Sequence, residues 1–267
     1  MNILLIYRAR EFSPNMVDKD VAILDSVGEY LRGEGCNVSY IHEEDFKSTE
    51  YDVDAVMSMC RRYESLELLS IMEQRGTVVI NSPSSVENCS RDRMYQLLVN
   101  SAIPVANKYN KDYKFPLWLK TCKGWSKTKE DVMFISNASE LNYAISVMRD
   151  RPYMLVEHLA GDLIKFYGIE GSDFFFWTYA SDSHSKYSLE QYNGTPHHYG
   201  FSETELRKIC SDAARATGLT AYGGDCVIDE DGTIRIIDFN DWPSFSKCRD
   251  KASVAIADVA LKQIKGR

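Results

Sequence analysis

The stretch TAYGGDCVIDEDGTIRIIDFNDWPSF, residues 220 to 245, constrains this chain more than any other. Two apolar runs flank Asp229-Glu230-Asp231-Gly232, and Asp-Gly between such runs marks a β-hairpin, because its tight turn needs residues that accept positive φ. With Asp231 and Gly232 as a two-residue loop, Asp225 falls directly opposite Asp238. Side chains alternate along a strand, so Asn240 shares the face of Asp238. Like charges opposed on a sheet destabilise it, and ionised carboxylates among Val227, Ile236 and Ile237 need a cation between them. Mg²⁺ suits the place, since it takes oxygen ligands and bridges carboxylates to phosphates. The alternative is a hairpin with a solvated charged face, which is how Asp229, Glu230 and Asp231 read. Convergence of Asp225, Asp238 and Asn240 between apolar residues favours the metal.

Composition bounds what surrounds this hairpin. With 267 residues the chain can build two or three lobes serving one function. A net charge of −8 argues against nucleic-acid binding, which needs basic surface to neutralise phosphates. Seven cysteines without a C-x-x-C pair read as reduced thiols. The first apolar run, residues 3 to 7, is too short for a signal peptide, and no stretch approaches the roughly 20 apolar residues of a membrane span. The expectation is a cytoplasmic protein with neither nucleic-acid nor membrane partners.

From its start the chain alternates. Residues 2 to 7 read as a buried strand, and residues 17 to 31 as a helix with Val21, Leu24, Val27 and Leu31 on one stripe. Residues 37 to 41, 55 to 59 and 77 to 80 supply further strands, with residues 66 to 72 helical between the last two. Such alternation builds a parallel sheet, whose ligands sit beyond the carboxyl ends of its strands. Arg8 and Arg10 follow the first strand, and Arg61 and Arg62 the third. They either line one crevice for a small anionic substrate or solvate loop ends. Residues 81 to 85 read as a loop and Ser90 as the N-cap of a helix to about residue 100. Arg91 and Arg93 lie in that helix's first turn, where the dipole disfavours cations and a nearby phosphate would explain them.

Residues 115 to 121, FPLWLKT, open a second unit as a strand with Lys120 inside an apolar run. Lys123 and Lys127 follow in a loop, residues 132 to 135 return, a helix covers about 139 to 149, and residues 153 to 157 form another strand. Residues 161 to 180 read as a hairpin turning at Glu170-Gly171-Ser172, where Lys165 is again a lone ammonium. One such lysine snorkels at an edge; two in one small sheet favour a polyphosphate clamp. Residues 181 to 200 form a polar loop whose His184, Lys186, His197 and His198 lack metal-ligand spacing. Ser202 and Glu205 make a capping box for a helix ended by Gly218, and a last helix spans residues 251 to 264. The chain thus divides into residues 1 to 88, 89 to 160 and 161 to 267.

With these features in place, the chain resembles the ATP-grasp superfamily over nearly its whole length. The order is similar: a small α/β domain, a helix beginning with Asp-Lys or its like, a lysine strand, a hinge ending in Glu, and a terminal metal hairpin. The resemblance implies an α/β and α+β architecture, an N-terminal parallel-sheet domain followed by two lobes that sandwich ATP. It implies that Arg93, in Asp92-Arg93, replaces the first ATP-contacting lysine and that Lys120 reaches the α and β phosphates. Residues 153 to 159, YMLVEHL, are then the hinge, whose backbone pairs with adenine while Glu157 accepts from the exocyclic amine, with His158 and Leu159 beside it. Asp162 reaches the ribose, Lys165 is the basic residue of the next strand, and Asp225, Asp238 and Asn240 hold Mg²⁺, two ions being expected.

Members transfer the γ-phosphate of ATP, most often to a carboxylate, giving an acylphosphate that an amine or thiol attacks. Many steady that acylphosphate with an arginine before the metal hairpin. Here only Lys186 or His184 stands in that region, so Lys186 and Arg61 are the candidate catalytic cations. Asp238-Phe239-Asn240 replaces the Glu-x-Asn of most ligases and is similar to the inositol phosphate kinases of the superfamily. The expected function is an ATP-dependent carboxylate-amine ligase. The alternatives are a kinase acting on a small polyol or inositol phosphate, and a nucleotide-binding regulator without turnover. The expected partners are ATP, Mg²⁺ and a small anionic substrate, with a homodimer as one assembly.

Overall fold

The computed structural model describes residues 1 to 122, 128 to 182 and 189 to 266. Its opening segment follows the periodicity of the sequence. β1 (Asn2–Tyr7), α1 (Val17–Gly33), β2 (Asn37–His42), β3 (Ala55–Ser58), α2 (Tyr63–Gln74) and β4 (Val78–Ile80) build a parallel sheet in the order β2-β1-β3-β4. Ile3 and Leu5 pack with Ile23, Leu24, Val27 and Leu31 of α1, while Leu4, Ile6 and Val56 pack with Leu66, Leu69 and Met72 of α2. Burial on both faces is what makes these strands continuously apolar. A short helix, α3 (Pro83–Glu87), stands where a loop is expected: Ser82 accepts from Ser85 N, and Pro83 takes the first helical position, where its missing N–H costs nothing. In α4 (Arg91–Asn100), Ser90 holds the N-cap position without a side-chain cap bond.

Two antiparallel sheets follow. β5 (Lys108–Tyr109), β6 (Leu117–Thr121), β7 (Val132–Ile135), α5 (Ala138–Met148) and β8 (Tyr153–Glu157) form the second, ordered β5-β8-β6-β7. Leu117 and Leu119 of β6 pack with Leu141, Ala144 and Met148 of α5, so period-2 alternation turns Trp118 and Lys120 to the opposite face. β9 (Asp162–Ile169), β10 (Phe175–Tyr179), α6 (Glu203–Thr217), β11 (Ala221–Ile228) and β12 (Ile234–Asp241) form the third, ordered β10-β9-β11-β12. Leu206, Ile209, Cys210 and Ala213 of α6 back this sheet. The helix opens on Ser202, which accepts from Glu205 N, and closes on Gly218 at φ +78°, a left-handed cap suited to glycine.

The last helix, α7 (Arg249–Lys265), corrects the expected boundary of the third unit. Its Ala252, Ile256, Ala257 and Ala260 belong to the core formed by the first sheet and α1, so the chain's end returns to the domain of its beginning. Trp242 fastens the return, its Nε1 donating to Ile80 O at 3.2 Å. Among the described residues no helix is long and apolar enough to cross a membrane.

Candidate active site

The second and third sheets face one another across a cavity of about 520 Å³, closed at one end by the first domain. That volume lies within the range of small-molecule sites. On its floor Asp225 of β11 sits directly opposite Asp238 of β12, reached by a different route from a two-residue turn. Nearest the turn, Ile228 pairs with Ile234 and Val227 with Arg235, so residues 229 to 233 make the connection, with Gly232 at φ +79°. Beyond the Cys226–Ile236 pair the register shifts by one residue, a β-bulge at Ile237. The longer turn and the bulge cancel, and the two carboxylates meet. The bulge also places Ile237 and Asp238 both on the cavity, while Ile236 and Phe239 enter the core beneath α6. Gly224 permits this approach: a Cβ there would lie 2.2 Å from Asp238 O.

Across the sheet, Asp225 stands between Lys165 of β9 and Asp238 of β12. Lys165 Nζ donates to Asp225 Oδ1 at 3.1 Å. From the facing sheet, Lys120 Nζ donates at 3.0 Å to the carbonyl of the bulged Ile237. Arg91, in the first turn of α4, donates to Thr121 O at 2.8 Å and also lines the cavity. Burial alone would raise the Asp238 carboxyl, but Arg91, Lys120, the Asn240 amide and Lys165 together hold it below the usual carboxylate range. Burial also pushes the Lys120 ammonium down to about 8, against the pull of Asp238. Asn240 Nδ2 donates to Asp238 Oδ2 at 3.0 Å, which leaves the Asn240 carbonyl oxygen to face a cation.

Two carboxylates and one amide oxygen form an all-oxygen set that fits Mg²⁺. No group of three or more His, Cys, Asp or Glu among the described residues is placed to hold a metal. Mg²⁺ ordinarily takes one or two carboxylates and completes its shell with water and phosphate, so the donor set matches its habit.

The other end of the cavity is apolar. Val156, Leu159, Leu163, Val227 and Ile237 form a slot beside the link from β8 to β9. Glu157 is pinned at its rim, where Oε1 accepts from Asn107 N at 2.7 Å and Asn107 Nδ2 at 2.8 Å and meets Arg235 at 3.4 Å. His158 Nδ1 accepts from Trp118 Nε1 at 3.1 Å, and burial lowers its pKa, which favours the neutral ring that such acceptance requires. Phe134 and Tyr192 complete the aromatic cluster around it. An apolar slot opening onto cations suits a nucleobase with a phosphate tail.

Compared with protein-family models and with curated proteins, the sequence matches none. Solved structures match it along its whole length. A RimK domain ATP-grasp protein from Sphaerobacter thermophilus superposes with a TM-score of 0.70 at 15% identity, over 98% of this chain and 100% of that one. D-alanine–D-alanine ligase from Bacillus anthracis, complexed with ATP, gives 0.71 at 13% identity over 100% and 99%. The ATP-grasp ligase PsnB, complexed with a minimal precursor, Mg and ADP, gives 0.66 at 16% identity over 98% of each chain. The chain has the ATP-grasp fold.

Within the ATP-grasp fold, Lys120, Glu157, His158, Leu159, Lys165, Asp225, Asp238 and Asn240 all line the one cavity. Arg93 does not. Its side chain is 54% exposed and pairs with Glu87 at 3.5 Å, and Arg91 faces the cavity instead. Residues two apart on a helix point about 200° apart, so only one of the two can turn inward. Asp162 is also displaced from its expected role: it is buried, and its carboxylate accepts from His197 N at 2.6 Å and Tyr199 N at 2.8 Å, fastening a loop.

Of the four arginines expected at the substrate end, Arg10 is exposed outside the cavity and Arg62 pairs with Glu11 at 3.2 Å. Arg8 and Arg61 line the cavity, but their guanidinium groups are engaged internally. Arg61 binds Asp241 twice, at 2.6 and 3.2 Å, and Arg8 binds Asp20 at 3.2 Å and Trp242 O at 2.9 Å. Lys186, His184, Lys123 and Lys127 lie outside the described residues. Sequence reasoning missed Asp241, Arg91 as the inward arginine, and Arg235. For Arg91 a signal existed, since it precedes the buried Met94 by three residues and Leu98 by seven.

Proposed function

We propose that this protein is an ATP-dependent ligase that joins a carboxylate to an amine, with ATP held between the second and third sheets. The observation that carries the reading is the direct opposition of Asp225 and Asp238 beneath Lys120, Lys165 and Arg91, at the mouth of an apolar slot. The slot takes adenine, with Glu157, anchored through Oε1, accepting from the exocyclic amine. Lys120, Lys165 and Arg91 lie along the triphosphate. Asp225, Asp238 and Asn240 hold Mg²⁺, two ions in this reading, which would neutralise charge on the phosphate oxygens.

In the first step the substrate carboxylate bonds to the γ-phosphorus, and the bond to the β,γ-bridging oxygen breaks, its electron pair leaving with ADP. An amine then attacks the acyl carbon, forming the amide and releasing phosphate and a proton. Enclosure between two sheets keeps water from the acylphosphate. A kinase for a small polyol or inositol phosphate is the second reading, favoured by the aspartate in Asp238-Phe239-Asn240. Incubation with ATP, Mg²⁺ and pooled carboxylates, amines and inositol phosphates, followed by mass analysis, separates the two. ADP release that requires both a carboxylate and an amine supports the ligase; ADP with a phosphorylated alcohol refutes it.

A further inference from the structure

Seven basic and five acidic described side chains line the cavity, an excess of two positive charges in a chain whose net charge is −8. Pairing shows which of these charges are already engaged. Arg8 and Asp20 neutralise one another, as do Arg61 and Asp241, and Lys165 and Asp225. Lys120 and Arg91 face Asp238 and the phosphate path. Glu157 pairs with Arg235, outside the cavity lining. Lys19 and Lys247 remain, and neither has an ion-pair partner among the described residues.

The two lysines come from separate elements, Lys19 from the first turn of α1 and Lys247 from the turn between β12 and α7. Both line the end of the cavity closed by the first domain, where Ser13 and Met16 also lie. Of the two acids in the first turn of α1, Asp20 is already engaged, accepting from Arg8 at 3.2 Å and from Ser13 Oγ at 2.6 Å, and Asp18 is exposed and forms no ion pair with Lys19 among the described residues. The 17-residue α1 starts here without a side-chain cap, so its positive dipole end opens on the same space. Cations in the first turn of a helix are disfavoured by that dipole, which an anion between them would relieve.

We propose that Lys19 and Lys247 form the subsite that holds an anionic group, a carboxylate or a phosphate, on the acceptor substrate. This rests on the reading of the cavity as an ATP site with an acceptor beyond the metal ligands. It replaces the four arginines expected from sequence with two lysines that are free to bind. The subsite selects acceptors that carry an anionic group besides the reacting one.

The test uses the full chain loaded with Mg²⁺ and the nonhydrolysable ATP analogue AMP-PNP, titrated calorimetrically with inorganic phosphate and, separately, with succinate. Wild type is expected to bind at least one anion, and the stronger of the two identifies the source of the charge. Lys19→Met with Lys247→Met should weaken that anion at least tenfold while AMP-PNP affinity changes less than twofold; Lys19→Arg with Lys247→Arg should retain it. The inference is overturned if loaded wild type binds neither anion, if the methionine variant binds as wild type does, or if AMP-PNP affinity falls with the lysines, which would assign them to the triphosphate. Failure of wild type to bind AMP-PNP at all would instead remove the ATP reading beneath it.

Discussion

Replacing Asp241 with Asn should unseat the first domain from the β11–β12 hairpin. The Asp241 side chain is fully buried, and Arg61 holds it through two bonds, Nη2 to Oδ1 at 2.6 Å and Nε to Oδ2 at 3.2 Å, with Arg8 at 3.5 Å. Asparagine keeps the shape and removes the charge, which leaves two buried guanidinium groups facing each other. Removing one partner of a buried ion pair costs about 3–5 kcal/mol, which at roughly 2–4 °C per kcal/mol for a chain of this size is a fall in Tm of about 6–20 °C.

The pH dependence gives a second handle. Burial would raise the Asp241 carboxyl, but Arg61 and Arg8 prevail and hold it below the usual value of 3.8. A depressed carboxylate contributes stability that is fully present above the unfolded pKa and lost as pH falls through the folded one. The gap between wild type and Asp241→Asn should therefore be constant from pH 5 to 7, on the order of the figure above, and narrow below about 4. Urea denaturation followed by circular dichroism at pH 7 and pH 3.5 measures both. A difference under about 1 kcal/mol at pH 7, well short of the buried-pair figure, or a gap that persists unchanged in acid, refutes the reasoning. Arg61→Met combined with Asp241→Leu should cost less than Asp241→Asn alone, because it leaves no unpaired charge and Arg8 keeps Asp20.

Three further outcomes follow from the site. Asp238→Ala should lower turnover by at least about a hundredfold, the scale of losing one electrostatic contact to the transition state, with the circular dichroism spectrum unchanged; normal turnover would remove the magnesium assignment. Arg91→Met should weaken AMP-PNP about tenfold to a hundredfold, the scale of one charge-assisted hydrogen bond, while Arg93→Met, on the exposed side of the same helix, should change it less than twofold; equal effects would reject the inward assignment of Arg91. Burial sets the Lys120 ammonium at about 8, so nucleotide affinity should be full below that pH and fall as pH rises through it. Calorimetry from pH 6.5 to 9.5 should show this bend in wild type and none in Lys120→Arg, and a wild-type profile flat across 8 would contradict it.

Much of this site was legible because its elements are defined by local pattern. The alternation in Leu117-Trp118-Leu119-Lys120 can bury only the leucines under α5, so Lys120 had to face the cleft. Lys165 follows the same rule between Ile164 and Phe166. What failed was what local pattern does not encode. Arg61 meets Asp241 across 180 positions of sequence, and neither residue's neighbours name the other. Nothing in the apolar stripe of α7 says that it belongs with β1, because a stripe specifies that a face is buried and not which sheet buries it. The arginines beyond β1 and β3 were placed at the correct end of their sheet, yet the buried acids that engage Arg8 and Arg61 turn them from substrate ligands into a joint between domains.

The β11–β12 hairpin shows how the expected pairing of Asp225 with Asp238 can rest on compensation. A regular hairpin through Asp231-Gly232 would pair Asp225 with Asp238 but would send Ile237 to the face away from the cavity. The structure keeps the pair and changes the neighbour: the longer connection at the turn shifts the register by one, and the bulge at Ile237 restores it. The bulged residue now faces the slot, where its side chain helps wall the apolar end and its carbonyl receives Lys120. One irregularity thereby joins the two halves of the site, since the residue that touches the apolar slot also seats the ammonium over the acidic pair. Gly224, whose missing Cβ lets the strands close to this distance, is the sequence mark of that irregularity, a glycine inside a strand opposite the carbonyl that needs its space.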